Sequence, residues 1–397
     1  MFGHFHQATD MKDSSNSMTS SGESFVLTLR EFSGSLGDMG TLLPLMLGAI
    51  AIAGMAPGPV LLGFALFYLF TAGYYRLPIP VQPMKAVAAA LLTAGLAPSS
   101  LAAAGVIMGI TLLVLGLTGW ISKVARLVPQ SVLAGLQLGL GIMLGTMSLG
   151  LMASAPWVAG ATLVLLVGLM TFTRWPAVFI ALLAATGLAY LLGESGVMIE
   201  PGGMGWVAVP SLPSISELHE ALFSLVLPQL SLTFTNAILL TALLASDHFG
   251  DRAAHVTPAR LSVTSGLANT LLTPLGAFPM CHGAGGVTAH YRFGARSGGA
   301  PLMLGLLLLG LVVLPGNVGL TLLSSIPMAG LGALLLVTAW QLAITKRLFD
   351  CRASCVPVIV VTAALTVWVN PFWGLLAGGV TEWGRKMVLR RLSERTA

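Results

Sequence analysis

After a polar, Ser-rich beginning, the chain alternates long apolar runs with short polar turns almost to its end. Most runs are long enough to cross a bilayer as a helix, which needs about 20 predominantly apolar residues. Glycines, prolines and charged residues mark the boundaries. Counting between them gives about fourteen segments, of which the third and the tenth are short and follow prolines. The pattern predicts an all-α polytopic membrane protein.

The two short segments resemble each other across the middle of the chain. A Pro-Met pair stands at residues 83–84 and again at 279–280, 196 residues later in a chain of 397. Each pair belongs to a proline-broken stretch that leads into a helix of small residues. Broken helices at corresponding positions of two halves are typical of transporters with inverted repeats. We therefore expect a 7+7 inverted repeat, with repeats at residues 25–193 and 217–390 and an extracytoplasmic loop at 194–216.

The distribution of charge supports this organisation and gives it an orientation. Only 8% of the residues are charged, whereas soluble domains carry about 25%. Lys and Arg fall in alternate loops on the side shared by both termini, which the positive-inside rule places in the cytoplasm. We expect a multi-pass protein of the cell (inner) membrane, with a disordered cytoplasmic tail at residues 1–24 and a second tail at 391–397. The cations are too dispersed for nucleic-acid binding.

One cation lies apart from the others. Lys85 begins the third segment inside an apolar stretch, and an intramembrane cation is a functional candidate. The third and tenth helices can begin only after their prolines, because proline cannot lie inside a helix. Their N-termini therefore point into the protein, each with about half a positive charge. Together with Lys85 they supply about +2, which suits a dianion. By contrast, we interpret Arg292 and Arg296, at the end of the tenth segment, as topology anchors.

Several of these residues have alternative interpretations. Asp38, beside the expected anion, either pairs with Lys85 or an Arg, or is protonated when substrate binds, or is a structural partner between helices. Lys85 itself could snorkel to the surface, and His282 is either a ligand donor or a hydrogen-bonded core residue. Amide side chains can also simply bond between helices; those concerned are Gln82, Gln229 and Asn236.

At these positions the chain resembles the molybdate transporter type 1 family, a branch related to the SulP sulfate permeases and without their STAS domain. The matching motifs are residues 37–41, 81–85, 279–286 and 291–296, and the likeness covers residues 30–390. The resemblance implies a uracil permease/SulP-like fold with core and gate domains. It also implies a substrate region at Gln82, Met84, Lys85, Cys281, His282 and Gly283, completed by Asp38, Thr41, Gln229 and Asn236. If Asp38 is protonated when substrate binds, as considered above, it is the proton-coupling candidate.

The leading hypothesis is a secondary active transporter that imports molybdate, coupled to protons, by alternating access. Sulfate and tungstate share the shape and charge of molybdate, so a sulfate or general oxyanion permease is the alternative. A passive anion channel is the alternative from another class. SulP-like folds often form homodimers, and nothing in the sequence identifies a dimer seam.

An enzyme is not expected. A membrane-embedded enzyme would need a nucleophile with a base, or a metal cluster. The adjacent Cys281 and His282 are the one candidate pair, and neighbours on a helix do not face each other. The chain's three cysteines suggest neither a disulfide framework nor a metal site, so we expect no cofactor.

Overall fold

The computed structural model describes residues 24–94, 96–125, 129–171, 177–194, 196, 206–315 and 318–396. Nearly all of this described part is helical. The helices are α1 (Leu29–Ser35), α2 (Met39–Ala51), α3 (Pro57–Tyr75), α4 (Lys85–Ala94), α5 (Pro98–Leu117), α6 (Ile121–Ala125), α7 (Gln130–Met152), α8 (Pro156–Met170), α9 (Ala177–Leu191), α10 (Ile215–Glu220), α11 (Leu227–Leu232), α12 (Thr241–Phe249), α13 (Pro258–Leu272), α14 (Ala284–Arg292), α15 (Gly299–Val313), α16 (Val318–Ser324), α17 (Met328–Ala343), α18 (Lys346–Asp350), α19 (Val356–Trp368) and α20 (Pro371–Thr396).

Six helical stretches of the described residues are long and apolar enough to cross a membrane, or seven if a bent pair is counted as one span. The six are Leu29–Ala51, Pro57–Tyr75, Pro98–Leu117, Gln130–Met152, Ile215–Ala253 and Met328–Asp350. Three shorter apolar helices accompany them. The predicted all-α polytopic class is confirmed, whereas the count of about fourteen segments stays a prediction.

Prolines set the start of several helices. Helices α3, α5, α8, α13 and α20 all begin at a proline. The first turn of a helix leaves its N–H groups without partners, so a residue with no N–H loses nothing there. This rule makes helix starts readable in the sequence.

The structure describes the two chain ends only in part. Residues 1–23 of the predicted disordered tail lie outside the described residues, as do 195 and 197–205 of the predicted loop. At the other end, α20 continues to Thr396. Residues 391–396 of the cytoplasmic tail expected at 391–397 are therefore helical and continuous with the last apolar segment. Their cytoplasmic location stays a prediction.

Helices from the two halves of the chain pack against each other in pairs. Helix α3 packs on α15, α5 on α13, and α7 on α17. Small residues permit close approach, as at Gly135 and Gly139 of α7, where an added methyl group would lie 2.5 and 2.6 Å from Thr362 and Thr366 of α19. Pairing across the halves is the arrangement expected of two intertwined repeats.

The two proline-broken segments meet at the centre of this packing. Strand β1 (Gln82–Pro83) pairs antiparallel with β2 (Met280–Cys281). The N–H of Met84 donates to the carbonyl of Pro279 at 3.0 Å. Helices α4 and α14, of 10 and 9 residues, begin directly after these strands. The third and tenth segments are therefore short and broken, as predicted.

Candidate functional site

The first broken segment is held by buried side chains that take up its free carbonyl groups. The hydroxyl of Tyr68 donates to the carbonyl of Val81 at 2.7 Å. Nδ1 of His290 lies 3.1 Å from the carbonyl of Pro78 and, since a carbonyl can only accept, Nδ1 donates. Non-helical backbone at membrane depth needs such partners, because no lipid group can supply them.

The second broken segment is held by one amide. Nδ2 of Asn269, on α13, donates to the carbonyl of Met280 at 2.6 Å, and the N–H of Met280 donates to Oδ1 of Asn269 at 2.9 Å. The side chain therefore satisfies both backbone groups of Met280 from the side opposite β1. Asn269 is fully buried and was not identified from the sequence, although a buried amide in a predicted span is a signal for such a role.

His282 performs a similar supporting function. Its Nδ1 donates to the carbonyl of Pro80 at 3.0 Å, and its Nε2 lies 2.8 Å from Oγ1 of Thr264. The ring also contacts Phe67 and Tyr75, with centroids 5.1 and 5.6 Å away. Because both ring nitrogens already have protein partners, the geometry favours the interpretation of His282 as a hydrogen-bonded core residue over that of a ligand donor.

A cavity of about 440 Å³ lies beside the crossing of the two segments. One wall comes from α14, β1, the start of α4 and the 3₁₀ turn Leu36–Asp38. The other wall comes mainly from α7, α8, α9 and α17. A second space, of about 20 Å³, lies toward α11 and shares with the first Gln82, Lys85, Gln137, Asn236 and Leu342.

The residues expected at the site fall into three groups. Five line the larger cavity: Asp38, Thr41, Gln82, Lys85 and Asn236. Three line only the smaller space: Gln229, Cys281 and His282. Two line neither: Met84 and Gly283. The structure thus brings eight of the ten together around one region and places the other two behind it.

Met84 and Gly283 support the site instead of facing it. The Met84 side chain is fully buried in the apolar core. At Gly283, a methyl group would lie 1.9 Å from Oε1 of Gln82, so only glycine leaves room for that amide. Neither residue lines either space in this conformation, and substrate contact by them stays a prediction.

Lys85 projects into the cavity without a polar partner. Among the residues that the structure describes, no hydrogen bond or ion pair to its ammonium group is found, and the ion pairs present both involve Glu382. The next N–H along α4, that of Ala86, is taken by Oε1 of Gln229 at 2.8 Å. Gln229 therefore caps α4 in the manner of an N-cap side chain, although it comes from a distant part of the chain.

Asp38 is bonded on one side only. Its Oδ1 accepts from Nε2 of Gln82 at 2.5 Å. Its Oδ2 is buried, has no hydrogen-bond partner within the described ranges, and lies where a methyl group on Gly286 would come within 2.6 Å. The structure does not show the direct pairing with Lys85 or an Arg that the sequence allowed. Protonation and a structural role between helices remain as its two interpretations.

Several polar residues of the cavity were not identified from the sequence. They are Gln137, Thr288, Arg292, Gln341 and Thr345. Gln137 lies within the apolar helix α7 and accepts from Oγ1 of Thr345 at 3.3 Å. A glutamine inside a membrane span was the available signal. Arg292, interpreted as a topology anchor, lies in the cavity wall, because the sequence does not say which face of α14 points inward.

Gly285 is the glycine through which a ligand can approach the backbone. It lines the cavity, and no atom lies within 4 Å of the position that a methyl group would take. It belongs to the first turn of α14, where N–H groups have no helical acceptor. Backbone N–H groups and the helix dipole at such a place favour negative charge.

Comparisons of the sequence with known proteins point to one family. The family profile described as "Molybdate transporter of MFS superfamily" matches residues 30–144 and 221–342, more than half of the chain. Molybdate transporter 1 of Arabidopsis thaliana is 28% identical over 88% of this chain and 86% of its own length. Molybdate transporter 1 of Chlamydomonas reinhardtii is 28% identical over 81% of this chain and 84% of its own length.

Solved structures show the same fold. The transmembrane domain of a cyanobacterium bicarbonate transporter, BicA, has a TM-score of 0.66 at 16% identity and covers 87% of this chain and 96% of that one. The murine solute carrier 26 family member A9 anion transporter, in its inward-facing state, has a TM-score of 0.67 at 16% identity, covering 91% and 69%. The predicted SulP-like fold class is therefore confirmed.

Proposed function

Because the chain belongs to the molybdate transporter family, we propose that it is a secondary active transporter that imports molybdate into the cell together with protons, by alternating access. The observation that carries the proposal is the position of Lys85. This cation, without an ion-pair partner in the described residues, faces a cavity to which the N-terminus of α14 is also exposed. Such a site selects for negative charge.

The charges match a dianion. The N-termini of α4 and α14 supply about half a positive charge each, and protonated Lys85 supplies one more, about +2 in total. Hydroxyl and amide groups of the same cavity can donate hydrogen bonds to the four oxygens of a tetrahedral oxyanion; they belong to Thr41, Gln137, Asn236, Thr288 and Gln341. A neutral substrate would leave Lys85 uncompensated.

Asp38 provides a reason for proton coupling. When its carboxylate is ionised, the charge around the cavity falls to about +1 and no longer matches a dianion. A proton on Asp38 restores the match. The unpartnered Oδ2, buried beside α14, is the atom at which we place that proton. Substrate and proton would then bind together, as symport requires.

The orientation and organisation belong to the same proposal. The protein would lie in the cell membrane with both termini cytoplasmic, as the positive-inside rule indicates. Its repeats would comprise residues 25–193 and 217–390. The pairing of α3 with α15 and of α5 with α13 across the two halves supports that division. Movement of one wall of the cavity against the other, each built from helices of both repeats, would expose the cavity alternately to the two sides.

Uptake into liposomes tests the proposal. Purified protein is reconstituted, and accumulation of labelled molybdate is measured with and without an inward proton gradient. Excess tungstate or sulfate serves as competitor. Block by tungstate but not by sulfate supports molybdate as the substrate, and equal block by sulfate moves the assignment to a general oxyanion permease. Flux without saturation would indicate a channel.

A matched pair of variants tests the role of Lys85. Lys85→Gln removes the cavity cation, and Lys123→Gln removes an exposed cation on α6 that lies outside the cavity. We expect uptake to be lost in the first and kept in the second. Equal uptake by both variants would refute the charge-matching argument, while leaving the family membership untouched.

A further inference from the structure

Helix α14 presents one face to the cavity from end to end. Residues Gly285, Thr288, Ala289 and Arg292 line it, at the spacing of three and four that marks one side of a helix. Gly285 lies at the inner end, near the crossing of the two segments, and Arg292 is the last residue of the helix. At 1.5 Å per residue, the two lie about 10 Å apart along the axis.

Arg292 has almost no protein partner. Among the described residues its guanidinium makes one long hydrogen bond, from Nη2 to the carbonyl of Met170 at 3.5 Å, and no ion pair. Its side chain is exposed. Arg296, four residues later, is fully engaged, since Nη1 donates to the carbonyls of Tyr291 and Ala295 and the guanidinium lies 3.6 Å from the Tyr291 ring centroid. Arg296 fits the role of an anchor and Arg292 does not.

The dipole of α14 gives Arg292 a function. The N-terminus of the helix favours an anion at the inner end of the cavity, but the C-terminus carries about half a negative charge at the outer end. A dianion moving along this wall would meet that negative end. A cation on the last residue reverses the local sign, and the planar fork of a guanidinium matches oxyanion oxygens better than an ammonium does.

We propose that Arg292 forms an outer oxyanion-binding subsite at the mouth of the cavity, about 10 Å along α14 from the inner site at Lys85. In the proposed orientation this mouth faces the cytoplasm, so an imported dianion passes from Lys85 to Arg292 before its release. The polar side chains of Gln341 and Thr345 line the same cavity from α17 and the residues after it, and can complete the subsite. The inference rests on the proposed function and adds a second binding site to the transport path.

The test compares Arg292→Gln with Arg260→Gln in proteoliposomes. Arg260 is an exposed cation at the start of α13, outside the cavity, so both variants lose one charge. Initial rates of molybdate counterflow are measured from the cytoplasmic face, in the vesicles that expose it, over a concentration series at low and at physiological salt. For Arg292→Gln we expect KM to rise roughly tenfold, the low end of what charge-lined clefts contribute, with little change in kcat. Its KM should also lose most of its salt dependence.

Restoring the charge separates recognition from folding. Arg292→Cys is made in a Cys351→Ser background, because Cys351 is the one native cysteine that is not buried. The protein is treated before reconstitution with a methanethiosulfonate that carries either a trimethylammonium or a sulfonate group. We expect the cationic reagent to restore a low KM and the anionic reagent to raise KM further.

The outcomes keep the two proposals apart. If wild-type protein takes up molybdate but Arg292→Gln matches Arg260→Gln in KM and salt dependence, the outer subsite is wrong and the proposed function stands. Equal effects of the cationic and anionic reagents would also overturn the subsite, because a packing role does not depend on the sign of the charge. If wild-type protein moves no oxyanion, the proposed function itself fails.

Discussion

Replacing Asp38 by asparagine tests whether the coupled proton binds at Oδ2 of Asp38. Asparagine keeps an Oδ1 that can accept from Nε2 of Gln82, and it places a neutral group where the unpartnered Oδ2 lies. The variant therefore resembles the permanently protonated carboxyl group in shape and charge. It removes the one titration that the proposed cycle uses and leaves Lys85 in place.

The size of the effect follows from the cavity. A sphere of 440 Å³ is about 9 Å across, so an anion inside lies within about that distance of the Asp38 carboxylate. At an effective dielectric constant of about 20, a single negative charge and a dianion at this separation repel by about 4 kcal/mol. That energy is a factor of several hundred in affinity. An ionised Asp38 should weaken molybdate binding by this order.

Two modes of transport separate coupling from binding. In gradient-driven uptake, wild-type protein accumulates labelled molybdate when the outside is acidic. In counterflow, labelled molybdate exchanges for unlabelled molybdate with no net proton movement. We expect Asp38→Asn to lose gradient-driven accumulation and to retain counterflow. Apparent affinity should rise as pH falls in the wild type, because protonation removes the repulsion, and should be flat with pH in the variant.

The control is Asp251→Asn, an exposed acidic residue on the 3₁₀ turn Gly250–Ala253, outside the cavity. It should behave as wild type in both modes. The reasoning would be refuted if Asp38→Asn still concentrated molybdate under a proton gradient with the pH dependence of the wild type. If Asp38→Asn loses both counterflow and gradient-driven accumulation, Asp38 has the structural role between helices instead.

Two further substitutions test the framework behind the cavity. Gly283→Ala places a methyl group 1.9 Å from Oε1 of Gln82, so the amide of Gln82 must move. Uptake should be lost, and overpacking should lower the stability by about 1–3 kcal/mol. The control Gly285→Ala meets no atom within 4 Å and should not lower the melting temperature. Asn269→Leu removes both hydrogen-bond partners of the Met280 backbone. It should destabilise the protein by about 2–6 kcal/mol, the cost of two unsatisfied buried groups, seen as a fall in melting temperature in detergent. An unchanged melting temperature would contradict the role of Asn269 in holding the second broken segment.

The broken helices were predictable because proline acts locally. A residue without an N–H and with a fixed φ cannot continue a helix, so the prolines at positions 83 and 279 set where α4 and α14 can begin. The observed starts, at Lys85 and Ala284, lie within a residue or two of the expected ones. Long apolar runs identify membrane helices in the same local way. The number of spans is harder, because short and bent helices blur the boundaries.

The walls of the cavity could not be predicted, because they depend on which helices become neighbours. Gln137 and Gln341 lie on helices far apart in sequence, and only the packing of α7 on α17 brings them to one cavity. The same holds for Gln229, which was expected to bind substrate and whose Oε1 caps α4 in the structure. Residue type indicated that these positions are polar and intramembrane. It did not indicate whether each polar group faces a ligand or another part of the protein.

The capping by Gln229 has a consequence for selectivity. A helix N-terminus offers several free N–H groups, and each one taken by the protein is lost to a ligand. On α4 the N–H of Ala86 is taken and that of Met84 bonds to Pro279, so α4 contributes mainly its dipole and Lys85. On α14 the first turn is open at Gly285. The two halves are therefore unequal at the site: one supplies charge and the other supplies directed hydrogen bonds.

Charge alone attracts any dianion, whereas directed donors distinguish oxyanions by size. We therefore expect discrimination between molybdate and sulfate to depend more on α14 than on Lys85.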